Sequence, residues 1–176
     1  MATKLTEEEK LKIQDVLDAI SYDVDNQIED INRGGCAIYA VELAKRLEAV
    51  GVKNYRIRTY TDNNRGAKTN VTNVEKQVFN TSLPKSTEKW YANDVYFYHV
   101  RLEWRGIAWD AAGAISASKA DNWNTWYHRQ KGYISRRAME MLISFKANWT
   151  PIFDRAQVPK LRRIMDKHFR EAGFAI

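Results

Sequence analysis

The chain has 176 residues, 44% of them hydrophobic, with 28 Lys+Arg against 22 Asp+Glu and a formal net charge of +6, a length that suits one domain of roughly 150 residues with an elaboration. A single cysteine excludes an intramolecular disulfide framework and a cysteine-based zinc site, and His99, His128 and His168 lack metal-ligand spacing, so neither a metal nor an organic cofactor is expected. No apolar run approaches the ~18 residues of a membrane span, and Met1 to Lys10 does not read as a basic-then-apolar secretion signal, so a soluble, cytoplasmic protein with no membrane partner is expected.

Thr6 and Glu9 form a capping box, and Leu11, Ile13, Leu17, Ile20, Val24, Ile28 and Ile31 follow at helical spacing. Residues 6–31 therefore predict one long amphipathic helix, or two with a break near Ser21. The Gly34-Gly35 pair turns the chain, and a second helix opens at Cys36, carries Ile38, Val41, Ala44, Leu47 and Val50 on one side, and stops at Gly51. Tyr55 to Tyr60 alternates apolar or aromatic with basic residues, the period-two pattern of a strand with one wet face. From about 62 to 93 the composition is Asn, Thr, Ser and Lys with few apolar anchors and one short helix capped by Thr72 and Glu75, which reads as a lid or mobile insertion.

Alternation resumes from Asp94 to Trp104, turns at Arg105-Gly106 and returns through Ile107 to Asp110 as a hairpin. Asp121 to Gly132 is an aromatic-rich loop or short helix with Trp123, Trp126, Tyr127 and His128, and a helix is expected at about 135–148. The last helix opens with Pro159 in its first turn and places Leu161, Ile164, Met165, His168 and Phe169 on one face before Gly173. His168 on that stripe reads as a packed core residue, and Trp123, Trp126, Tyr127 and Trp149 read as core aromatics. The whole reads as one α+β domain over 1–176: a helical N-terminal arm (1–33), a core (34–113) and a helical C-terminal region (114–176).

One constellation carries chemistry: Cys36 heading a helix, His99 on a strand and Asp110 on the partner strand. At a helix N-terminus the unpaired N–H groups and the dipole favour a thiolate, and the cysteine's own N–H can face an oxyanion. His99 then serves as general base and acid, with Asp110 orienting the imidazole. Gly34 and Gly35 would let a substrate approach without a Cβ clash. With a two-residue loop, Trp104 opposes Ile107 and Arg101 opposes Asp110, so His99 and Asp110 become diagonal neighbours on one face, roughly 7 to 8 Å apart at Cα. Tyr96, Tyr98, Val100, Leu102 and Trp104 with Ile107, Trp109 and Ala111 form the apolar face; His99, Arg101, Glu103, Ala108 and Asp110 form the polar or small one. Asp110 has a competing partner in Arg101, directly across the hairpin.

At Gly35-Cys36, at His99-Val100-Arg101-Leu102-Glu103-Trp104 and at Trp109-Asp110-Ala111-Ala112-Gly113 the chain resembles the papain-like and transglutaminase-like cysteine superfamily. The resemblance spans about 32–113 and implies a cysteine-bearing helix packed on an antiparallel sheet, with a Cys36-His99-Asp110 triad. It also implies a cysteine-dependent amide hydrolase or acyltransferase (protease, deamidase or cross-linking enzyme) that passes through an acyl-thioester on a peptide or protein amide substrate. Arg101 departs from the aromatic usual there in transglutaminase-like domains, and Asp30 stands where a papain-like enzyme places its oxyanion glutamine. Asn32, Gln27 or a tyrosine are open as second oxyanion donor, with Asn32, Gly34 and Gly35 expected around the oxyanion and substrate.

A second class of function rests on Lys160, Arg162, Arg163, Lys167 and Arg170 of the last helix, with Arg136 and Arg137 before it. Basic residues interleaved with aromatics suit a polyanion contact, so a nucleic-acid- or protein-binding module with a non-catalytic cysteine is the alternative.

Overall fold

The computed structural model describes residues 4–62, 97–122, 129–144 and 153–176. The capping box closes at the first of these segments: the Thr6 N–H donates to the Glu9 carboxylate at 2.7 Å and the Glu9 N–H to the Thr6 hydroxyl at 3.1 Å. Helix α1 (Glu7–Gln27) then runs without a break and buries Ile13, Val16, Leu17, Ile20 and Val24. Ser21 lies on that buried side and bonds across to other elements instead of interrupting the helix. Leu11, counted in the apolar stripe from its spacing, points outward and is largely exposed. Ile28 and Ile31 are buried beyond the helix end, in the turn that leads to α2 (Cys36–Ala49).

Five strands follow in the described residues: β1 (Arg56–Asp62), β2 (Phe97–Trp104), β3 (Ile107–Asp110), β4 (Gly113–Ser116) and β5 (Arg129–Ile134). They form one antiparallel sheet in the order β4-β3-β2-β1-β5. A short helix α3 (Ala117–Asn122) follows β4; α4 (Arg136–Ser144) follows β5; a 3-10 turn (Arg155–Gln157) leads into α5 (Val158–Glu171), with proline in its first turn as its sequence requires. The chain is thus α+β, with a helix bearing the cysteine and further helices toward both ends. No described helix is long and apolar enough to cross a membrane.

One sheet face carries Ile57, Val100, Leu102 and Trp109 in register with Ile134, all buried in a core with α1 and α2. Trp109 reaches α1, where its indole N–H donates to Asp18 at 2.7 Å. The hairpin register is the expected one, Trp104 opposite Ile107 and Leu102 opposite Trp109, because Arg105 (φ 51) and Gly106 (φ 74) make a two-residue turn with both φ positive.

The wet face expected of β1 is wet only at Arg56. Arg58 is only 4% exposed and Tyr60 is fully buried. Arg58 is enclosed because its charge is matched: its guanidinium donates to Glu103 at 2.7 Å and also to Asp121 of α3. The strands β4 and β5 and the helix α3 were not legible in the sequence. Residues 63–96 lie outside the described residues, as do Trp123, Trp126, Tyr127, His128 and Trp149, so the expected insertion with its Thr72–Glu75 cap and the aromatic cluster fall there.

Candidate active site

Cys36 heads α2 because the preceding turn prevents an earlier start. Asp30 (φ 55) and Gly34 (φ 112) both take left-handed backbone, and the Arg33 N–H folds back on the Asp30 carbonyl at 2.8 Å. Intrahelical bonding begins with the Tyr39 N–H on the Gly35 carbonyl at 2.9 Å, so the N–H groups of the first turn, that of Cys36 included, have no acceptor within the helix. Cys36 is buried, 7% exposed, and lies near enough to His99 to help raise the imidazole's pKa.

Gly35 has a different role from the one its position suggested. It is buried, and a Cβ there would lie 2.7 Å from the Ile31 carbonyl oxygen and 2.9 Å from the Phe153 ring. Close packing of the turn against Ile31 and Phe153 demands the glycine, not an approaching substrate; Phe153 is held there by its N–H on the Arg33 carbonyl at 3.2 Å.

The strand pair delivers the other two groups. His99 Nε2 meets Asp110 Oδ2 at 2.7 Å, with both side chains under 10% exposed. The competition foreseen between His99 and Arg101 is not won by either: the Arg101 Nε–H donates to the same Asp110 Oδ2 at 3.0 Å. Oδ1 accepts the Ala112 N–H at 2.9 Å, and the Asp110 carbonyl accepts the Ser21 hydroxyl at 2.9 Å. Ser21 in turn is 2.8 Å from the Tyr39 hydroxyl, one turn along from Cys36 on α2. The carboxylate is therefore held from β2, from its own turn and, through its backbone, from both long helices.

Burial works against charge on His99, yet its interactions with Asp110 and Cys36 outweigh it and push the imidazole up to about 9. Asp110 shows the converse: burial raises its carboxyl, but the His99 and Arg101 contacts more than offset that and hold it below the ordinary carboxylate range. Asp110 thus favours the protonated imidazole while its own carboxyl stays ionised.

The sequence reading missed Ser21, Tyr39 and Tyr60. Tyr60 opposes His99 on β1, its ring 6.2 Å from the imidazole at 29°, and its hydroxyl donates to the Ala120 carbonyl at 2.7 Å. Ser21 left a signal, a hydroxyl on an otherwise apolar stripe; nothing local marked Tyr39 or Tyr60.

Of the remaining candidates, Asn32 is exposed and Gly34 half-buried in the turn before Cys36, while Gln27 is exposed at the end of α1 with its carbonyl accepting from Lys160. His168 is not a core residue: it is half-buried, and its Nε2 lies 2.6 Å from Asp23 on α1. Several cations of α5 are engaged nearby, Arg162 on Glu42, Lys160 on the Gln27 carbonyl and Lys167 near Glu171; Arg136 of α4 pairs with Glu48 and Glu140. Among the described residues no three His, Cys, Asp or Glu side chains gather as a metal site.

Compared with protein families, with curated proteins and with solved structures, the chain matches none.

Proposed function

We propose that the protein is a cysteine-dependent amide hydrolase or acyltransferase of the papain-like or transglutaminase-like kind, with Cys36 as nucleophile, His99 as general acid and base, and Asp110 as the group that orients it. The single observation that carries this reading is the buried His99–Asp110 hydrogen bond at 2.7 Å, next to a cysteine that heads a helix and acts on the same imidazole. In the first step the Cys36 thiol passes its proton to His99 as the sulfur bonds to the substrate carbonyl carbon, and the carbonyl electron pair moves to oxygen, where the Cys36 N–H can meet it. The oxyanion collapses, the C–N bond breaks, and the departing amine takes the proton from His99. A water or an amine then loses a proton to His99 as it attacks the thioester, and the thiolate leaves. Asp110 fixes the ring orientation and stabilises the imidazolium throughout. Asn32 and Gly34, in the turn before Cys36, are candidates for a second oxyanion contact.

The test is capture of the acyl-enzyme. Incubation with a library of peptide coumarylamides followed by acid quench should add the acyl mass to the intact chain, at Cys36 on peptide mapping, and Cys36→Ala should abolish both adduct and fluorescence. Iodoacetamide labelling that requires denaturant, together with no adduct from any library member, would overturn the assignment. The alternative of a basic binding module has no comparable geometric support, because so many of the C-terminal cations are already matched within the fold.

A further inference from the structure

The oxygen shared by two cations is the feature that the triad alone does not explain. Asp110 already has a partner for each carboxylate oxygen, His99 on Oδ2 and the Ala112 N–H on Oδ1, yet Arg101 is aimed at Oδ2 as well, and its side chain is only 7% exposed. The same guanidinium donates to the Tyr60 hydroxyl at 3.4 Å and lies over the Tyr60 ring, the ring that stacks on the imidazole, so Arg101 touches two of the groups that surround His99.

We propose that Arg101 is a positioning residue of the Cys36–His99–Asp110 site: it locks the Asp110 carboxylate in place and, by sharing Oδ2 with His99, limits how tightly that carboxylate holds the imidazolium. The inference rests on the triad reading above, but its test needs no turnover.

The physics follows from two positive groups on one negative oxygen in a water-poor interior. Arginine does not give up its proton at accessible pH, so the whole electrostatic response falls on His99. Each cation weakens the other's hold on the carboxylate, and the arginine therefore makes the imidazolium easier to deprotonate than Asp110 and Cys36 alone would leave it. A general acid that never releases its proton cannot reset the cycle, which gives the contact a use beyond stability. The described charged and titratable groups around His99 are Asp110 of β3, Cys36 of α2, and Tyr60 of β1 over the ring; Arg101 bonds Asp110 from β2, Tyr39 of α2 reaches the Asp110 backbone through Ser21 of α1, and the Arg58–Glu103 pair with Asp121 of α3 continues the polar face beyond.

The experiment is an NMR titration of the full chain labelled at histidine 13Cε1, in which three ring signals are expected and His128→Asn and His168→Asn identify the third as His99. The parent protein should show the His99 inflection near pH 9. Arg101→Gln should raise it by about one unit, because a like charge at this distance is removed, whereas Arg101→Lys, which keeps the charge, should stay near the parent value. A lower Tm in Arg101→Gln with an unmoved or lowered His99 inflection would assign Arg101 a structural role only and overturn the proposal. If Arg101→Gln does not fold, the parent protein decides: the Arg101 Nε–H resonance should move through the same inflection as His99, and a resonance that ignores the His99 titration overturns the proposal equally. Failure of the acyl-enzyme test with the titration shift intact would instead sink the enzymatic reading and leave the Arg101–Asp110–His99 coupling standing.

Discussion

Both faces of the sheet bury residues, by opposite means, the polar one opening to solvent at Arg56 and Tyr133. On one, Ile57, Val100, Leu102 and Trp109 exclude water by packing against α1 and α2. On the other, Arg58, His99, Arg101, Glu103 and Asp110 are equally hidden, and each is acceptable there only because a partner of complementary charge arrives from another strand or helix. The apolar face draws its stability from area and tolerates modest change of shape. The polar face draws specificity from completeness, and the candidate triad is built into it, so losing one member there leaves a charge stranded.

The largest effect is expected at the nucleophile. Cys36→Ala should eliminate acyl-adduct formation while leaving the Tm near that of the parent, as read by intact mass and calorimetry, because only one buried sulfur is lost. Next comes Asp110→Asn. Turnover should fall by about four orders of magnitude through the wrong imidazole tautomer, and the chain should also lose about 3 to 5 kcal/mol in urea unfolding, since both Arg101 and His99 lose a buried counter-charge. That combined loss distinguishes the shared carboxylate from a simple exposed cross-strand pair, whose removal costs about 0 to 1 kcal/mol.

Leu102→Ala on the opposite face should cost about 2 to 5 kcal/mol by cavity formation yet leave the His99 titration where it was; a moved titration would show that the two faces are not independent. Gly35→Ala should cost about 1 to 3 kcal/mol, because the added Cβ meets backbone and ring atoms below 3.0 Å in a packed turn, and urea midpoints measure it. The smallest effect concerns pH. His99 is raised from 6.5 to about 9, so its contribution to stability is fully present below pH 6.5 and is lost as pH climbs through about 9. Asp110 is lowered, so its contribution is present above pH 3.8 and lost as the medium is acidified through its depressed value. Melting temperature against pH should therefore fall off at both ends, with the alkaline limb absent in a His99→Gln variant.

The sequence alone determined what short-range physics decides. Thr6 and Glu9 fixed where α1 begins, the Gly34-Gly35 turn fixed where α2 begins and hence the placement of Cys36, and strict alternation around Arg105-Gly106 set a hairpin register in which a one-residue slip would have put Trp109 with the charges and Asp110 with the core. His99 and Asp110 were legible as neighbours because that register depends on two strands joined by one tight turn. Only the tertiary structure decided the rest. β5 carries no alternation to announce it, and it becomes a strand by pairing with β1, whose residues lie some seventy positions earlier. The burial of Arg58 and Arg101 was invisible because a charge's environment depends on which acids the fold brings to it, and His168 left the core for Asp23, 145 residues away. The sharing of Asp110 between His99 and Arg101 belongs to the same class: sequence spacing could place either partner within reach, but only packing on both sides of the carboxylate could let it hold both at once.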